Sequence, residues 1–575
     1  MRYLITLLVL SSLVTFSQKN TNFSTPFEKG NGNQSSTYEE CIRYYTNLSN
    51  SFSTVYIKEM GKTDSGEPLH IVIYNPEKKF DFTDINTNKV VILINNGIHP
   101  GEPDGIDATM MLMRDLVTKK VLIPKNTIIV VIPVYNIGGS LNRNSHSRAN
   151  QNGPEAYGFR GNSRNFDLNR DFIKTDSKNS KSFQEIFHLV NPDMFIDNHV
   201  SNGADYQYTF TCIATQHQRL GGTLGIFYKE EMHPALMNDL KKKNIESVPY
   251  VNIHGDKPDD GFAQFMDTPR YATGYTSLFN TIGAVPETHM LKDFASRVQV
   301  TYEYMVSSIN YVDKNYLKIK ALKAANLEPY KVGNTYTLQW EIDSSKISTI
   351  DFKGYEGHYK TSEVSGKPRL FYDKAKPFTK NIPFFNDYKS TKDVTIPSYY
   401  VIPKSQWPAI DLLNLNQIEM TKIQNDTVIE VESYKIVDYK TSKSAYEGHY
   451  GHYNTVVRSN MEKVKFRKGD LLIKTQQKGV KYLMETLEPE AVDSYFNWNY
   501  FDPILQQKEY FSAYVFEDLA TEILEKNPTL KTTFEAKKKN EDVFKNSGEA
   551  QLDWVYSHSE YFEKAYLQYP IYRIK

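Results

Sequence analysis

A chain of 575 residues is longer than one hydrophobic core ordinarily serves, so at least two domains are expected. Lys plus Arg and Asp plus Glu each number 68, and this zero formal charge excludes the global basic field that nucleic acid or an anionic membrane surface would select. Two cysteines, Cys41 and Cys212, are too few for a disulfide framework or a thiolate zinc site; they either pair in an oxidising compartment or remain two buried thiols.

The chain begins Met1-Arg2, then an apolar run over residues 3–16 and polar Ser17-Gln18. That is the pattern of an export signal, residues 1–17. The run is shorter than the ~20 residues that span a bilayer, and no later run is longer, so no stable membrane insertion is expected after cleavage. The expected location is exported, periplasmic or extracellular. Residues 18–37, rich in Asn, Ser, Thr and Gly, read as a disordered lead-in.

From residue 38 to 320, short apolar runs alternate with amphipathic stretches. Strands are expected at 69–74, 90–95, 127–133, 194–197 and 281–285, and helices at 104–117 and 182–190. This is the alternation of an α/β domain whose mixed β-sheet is flanked by helices. From 330 to 575, Tyr-rich alternating segments such as 335–340 and 398–402 predict a β-rich C-terminal domain, of undisclosed function. Apolar spacing at Val515, Leu519, Ile523, and later Phe562 and Tyr566, predicts terminal helices packed on it. Tyr355-Glu356-Gly357-His358-Tyr359 recurs as Tyr446-Glu447-Gly448-His449-Tyr450, a short repeat that suggests two related β units. No carboxylate or Cys cluster accompanies its histidines, which favours turn or packing roles over metal binding.

The candidate chemistry begins where the 90–95 strand ends, in Asn96-Gly97-Ile98-His99-Pro100-Gly101-Glu102. A His and a Glu three residues apart on a tight turn at a strand's C-terminal end can address one ion, and such loops are where α/β sheets place ligands. Catalytic zinc takes three protein ligands and leaves a position open; His199, also just after an apolar strand, is the third candidate. The same spacing suits a plain surface turn. Residues 159–172, with Arg160, Arg164 and Arg170 among several amides, form a donor-rich stretch suited to a carboxylate, or else a solvated loop.

In this order, His99-x-x-Glu102, Pro133-x-x-Asn136-x-x-Gly139, Asp167-Leu168-Asn169-Arg170, His199 and Glu287, the chain resembles the zinc metallocarboxypeptidases, the carboxypeptidase A-like family. The 160–170 run is similar to the regulatory, N/E-type members, and the resemblance covers roughly residues 40 to 320. It implies one Zn²⁺ held by His99, Glu102 and His199, with Asp167 orienting His99. It implies Glu287 as the catalytic base, Arg160 as the group that stabilises the developing oxyanion, and Asn169 and Arg170 as the anchor for a substrate's terminal carboxylate. The family's mobile tyrosine has no match at its usual place, where Phe265 stands; Tyr271 or Tyr275 is the expected substitute in substrate binding. The implied activity is hydrolysis of the C-terminal bond of peptides or proteins. Alternatives are a related zinc amide hydrolase on cell-wall peptides or acylated amino acids, and a peptide- or glycan-binding protein without catalysis. The last has no need of Glu287.

Overall fold

The segments VVILIN at Val90–Asn95 and TIIVVI at Thr127–Ile132 are buried at every position, as strands covered on both faces must be. They lie at the middle of a nine-stranded mixed sheet in the protein's computed structural model, which describes residues 23–83 and 89–575. In chain order the strands are β1 (Val55–Lys62), β2 (Pro68–Tyr74), β3 (Val90–Asn95), β4 (Thr127–Ile132), β5 (Met194–Asp197), β6 (His199–Ser201), β7 (Phe210–Ala214), β8 (Ser247–Pro249) and β9 (Ile282–His289). Their spatial order is β1-β2-β4-β3-β5-β9-β7-β8, with β6 paired to β9.

β3, β5 and β9 are parallel, with Ile94 beside Ile196 and Ile196 beside Ala284. Their C-terminal ends therefore gather at one edge, and Glu287 falls opposite His199 in the β6–β9 pairing. Helices pack against the sheet. Tyr38–Ser51 starts on a Thr37–Glu40 capping box; Lys178–Val190 starts on Ser177 and ends at Asn191 in the left-handed region; Phe294–Lys314 starts on Asp293. The 281–285 strand expected from sequence runs on to His289, so Glu287 is a strand residue.

Where it is described, the lead-in expected to be disordered is packed. Thr25 is buried and caps a helical turn, Pro26–Lys29. Ser36 donates from N and Oγ to Asp107 Oδ1 at 3.1 and 2.7 Å, and Arg143 holds the carbonyls of Ser35 and Ser36. Polar partners on the helix Asp104–Val117 and in the loop after Ile137–Leu141 tie the segment down. The expected export signal lies outside the described residues. No described helix is long and apolar enough to cross a membrane.

The C-terminal region is β-rich. Its two long antiparallel hairpins pair Ser348–Thr361 with Pro368–Phe385, and Thr427–Thr441 with His452–Phe466. One copy of the five-residue repeat lies inside the first hairpin's strand and the other forms the turn of the second, so the copies occupy non-equivalent positions. Neither His358 nor His449 belongs to a metal-binding group among the described residues. The tail contains helices Ala513–Lys526, Pro528–Asn540 and Gly548–Ser557; the helix expected around Phe562 and Tyr566 is instead a run of turns, in which Phe562 packs on Tyr556. One hydrophobic cluster runs from Tyr38 through the sheet to Tyr400, Leu412, Tyr482 and Ile571, so the C-terminal region shares the sheet's core. Cys41 and Cys212 are both free and buried, and burial pushes both thiols up, which makes them inert.

Candidate active site

The chain leaves β3 through Gly97, whose φ of 64° suits glycine, and closes a turn in which Glu102 N donates to His99 O at 2.8 Å. That turn aims both side chains at one point. His199 reaches it from the neighbouring strand end: its Nδ1 lies 3.0 Å from Glu102 Oε2, and His99 Nδ1 lies 3.2 Å from Glu102 Oε1. The three side chains are nearly inaccessible, and one ligand atom from each lies within 4.8 Å of the others.

The far side of each imidazole is held by a carboxylate. His99 Nε2 is 2.9 Å from Asp167 Oδ1, and His199 Nε2 is 3.2 Å from Asp197 Oδ2. Arg160 Nη1 lies 3.3 Å from His99 Nδ1, the nitrogen that also faces Glu102, while Nε2 faces Asp167. This is the arrangement that prepares imidazoles to bind a metal. Tetrahedral zinc needs ligand atoms roughly 3.3 Å apart; the two His–Glu102 spacings of 3.2 and 3.0 Å are near that, and two imidazoles with a carboxylate are a donor set that fits the ion.

Charges around the point are strongly coupled. Burial opposes ionisation of Glu102, but Arg148, His99 and His199 outweigh it and hold the carboxyl well below the usual range. Asp167 is likewise held low against burial by His99, Arg160 and Arg170. Burial pushes Glu287 up to about 8; His199 pulls it down and Glu102 pushes it further up. A carboxyl that exchanges its proton near neutrality suits general acid–base work.

A cleft of about 570 Å³ opens over this cluster and is lined by His99, Glu102, His199, Glu287, Arg160, Asn169 and Arg170, so all of these expected residues meet in one place. Asp167 stands behind His99. Asn136 accepts from Gly139 N and donates to the carbonyls of Arg160 and Ile98, which ties the arginine's segment to the ligand turn. Arg170 lies over the ring of Tyr271, 4.6 Å from its centre.

Tyr275 does not belong to the cleft. It is fully buried in the core, where its hydroxyl donates to Asn416 at 2.6 Å beside His188. Tyr271 and Tyr250 line the cleft instead, Tyr250 next to Phe265. Sequence reasoning also missed Arg148, which donates to Glu102 Oε1 at 2.7 Å, and Asp197, the partner of His199. Asp197 was findable, since alternate residues of a strand share a face. Arg148 sits in a loop with no pattern to mark it.

Two imidazoles and a carboxylate converging on one point, with a separate buried carboxyl and guanidinium groups in the same cleft, define a metal-dependent hydrolase. The family model described as zinc carboxypeptidase matches residues 41–347, more than half of the chain, and the chain belongs to that family. It is a zinc metallocarboxypeptidase. Carboxypeptidase 2 of Trichophyton tonsurans is 22% identical over 473 residues, 78% of this chain and 80% of its own. Among solved structures, a metallo-carboxypeptidase from Burkholderia cenocepacia is 16% identical with a TM-score of 0.36, covering 49% of this chain and 70% of its own. Carboxypeptidase A from Helicoverpa armigera is 15% identical with a TM-score of 0.35, covering 51% and 74%.

Proposed function

We propose that the protein is exported and removes C-terminal residues from peptides, with His99, Glu102 and His199 holding one zinc ion. The observation that carries this reading is the convergence of three buried ligand atoms within 4.8 Å, with Glu287 in register beside His199. When bound, zinc supplies a Lewis acid that polarises the scissile carbonyl and makes water a better nucleophile. Glu287 accepts a proton from the attacking water on a carboxylate oxygen and passes it to the leaving amine. Arg160, within 3.6 Å of Glu102, donates to the oxygen on which charge develops. Asn169 and Arg170, on the cleft wall, take the substrate's free carboxylate, Arg170 through its paired N–H groups. Export is supported by the Arg2 and apolar 3–16 pattern.

The test is a digest of a peptide library with free and with amidated C-termini, with and without a chelator, read by mass spectrometry. Stepwise loss of residues from free C-termini, abolished by chelation, is expected. Arg170→Ala should lose activity on free C-termini by roughly tenfold or more, the cost of a charge-assisted bidentate contact, and much less on amidated ones. Equal losses on both would remove the anchoring role and with it the exopeptidase reading.

A further inference from the structure

We propose that Glu447, in the turn of the second C-terminal hairpin, is a positioning residue of the peptidase site: its carboxylate fixes the Asp167 peptide and, through it, His99 and Arg160. The inference rests on the roles given above to His99 and Arg160. Glu447 Oε2 accepts from Asp167 N at 2.9 Å, across 280 residues of chain. Asp167 in turn spends both carboxylate oxygens on the cleft. Oδ1 meets His99 Nε2 and accepts from Asn169 N, while Oδ2 accepts from Arg160 Nε and Nη2 at 3.0 and 2.9 Å. A shift of this one peptide therefore moves a metal ligand and the oxyanion donor together.

The turn is built against its own preference to achieve this. Tyr446 and His449 exchange both backbone hydrogen bonds, at 2.8 and 3.1 Å, and the two residues between them have positive φ, 49° at Glu447 and 83° at Gly448. Such a turn favours Asn, Asp or Gly at its first central position, and a longer side chain there is strained. Strain of this kind persists where the surroundings impose it, and it marks functional positions. The surroundings here are explicit. A Cβ at Gly448 would come within 3.1 Å of the Phe166 ring, and His449 Nε2 pairs with Asp176 at 2.8 Å. The glutamate is also set beside a second carboxylate: burial and the Asp167 charge push its pKa up, against the Asp167 N–H. A turn with no task at the cleft needs none of this.

Glu447→Gly separates the role from mere folding, because it removes the carboxylate while giving the turn the residue its backbone prefers. The full chain is purified as wild type, Glu447→Gly and Glu447→Gln, and three quantities are measured. They are the melting temperature, the zinc affinity by competition with a chelator, and kcat and KM on a peptide with a free C-terminus. Glu447→Gly should melt within about 2 °C of wild type. It should bind zinc and turn over about tenfold less well, as losses behind a metal ligand do, with kcat falling more than KM rises. Glu447→Gln keeps a carbonyl oxygen for the Asp167 N–H and should retain wild-type zinc affinity and kcat. Wild-type zinc affinity and kcat in Glu447→Gly, or equal losses in the glutamine variant, would overturn the proposal. Zinc competition reads positioning even if the wild type cleaves no peptide, an outcome that would instead sink the function proposed above.

Discussion

At 355–359 the sequence Tyr-Glu-Gly-His-Tyr lies in a strand of the first C-terminal hairpin, with His358 opposite Phe371 and Tyr359 opposite Leu370. At 446–450 the same five residues reverse the chain and dock on the peptidase loop. In the strand, Glu356 reaches exposed Lys376 at 3.4 Å and His358 rests its ring on Phe371. In the turn, Glu447 holds the Asp167 peptide and His449 holds Asp176. The glycine permits either backbone, and no other residue of the five forces one, so the partner surface decides. What a short motif does in this protein is set by what it is pressed against.

The docked turn belongs to a region fused to the peptidase sheet by buried ion pairs, and the largest expected effect comes from breaking one. Arg219 pairs with Glu485, which also accepts from Tyr336 at 2.9 Å; Arg219 is 5% exposed and lies on the peptidase side. Glu485→Ala leaves a buried guanidinium unpaired and should cost ~3–5 kcal/mol. A single denaturant transition with a lowered midpoint is expected. A variant as stable as wild type would mean that the region is not fused in this way, and the contrast between docked and free copies would lose its basis.

Next in size is Asp493→Ala. Asp493 is buried and accepts from Arg270 N, Nε and Nη2 at 2.9, 2.8 and 2.6 Å. Arg270 precedes Tyr271, on which Arg170 stacks, so the C-terminal region holds this wall of the cleft as Glu447 holds the other. Loss of about 2 kcal/mol is expected, the worth of hydrogen bonds to a charged group whose partner keeps some access to solvent. KM for a free C-terminus should rise while zinc affinity stays unchanged. A fall in zinc affinity instead would show that the two anchors act on the same element.

The same division explains what the sequence disclosed. His99, Glu102 and His199 were legible because the turn after one apolar run and the end of another carry them in the family's motif order, and the parallel register then gathers those strand ends without help from elsewhere. Glu287 was legible as a residue but its strand was cut short, because Pro286 reads as a stop although it pairs with Cys212 in the sheet. β1 escaped notice because its alternation is broken by charge and by Gly61. Tyr275 was misplaced for a different reason: it was one of two nearby substitutes for a tyrosine missing at its usual place, where Phe265 stands, while the partner that buries it, Asn416, lies 141 residues further on. Glu447 and Asp493 were invisible on the same ground, since contacts across hundreds of residues leave no periodic trace.

The smallest expected effect concerns the pair that helps to seat the docked turn. His449 Nε2 lies 2.8 Å from Asp176 Oδ2, which also takes Lys174 at 2.6 Å, while Nδ1 faces Asn499 and the ring meets the edge of Trp498. Burial opposes the imidazolium, but the Asp176 hydrogen bond and charge outweigh it, Lys174 notwithstanding, and raise the pKa above its ordinary 6.5. A histidine with a raised folded pKa contributes stability that is fully present below 6.5 and is lost as pH rises through the raised value. His449→Gln should therefore lower stability by about 1 kcal/mol in acid solution, in keeping with a pair near the surface. The gap in melting temperature between wild type and variant should close as the buffer moves from about pH 6 to about pH 9. A gap that stays constant over that range would show that the turn is seated without the ion pair, leaving Glu447 and the Phe166 contact to hold it.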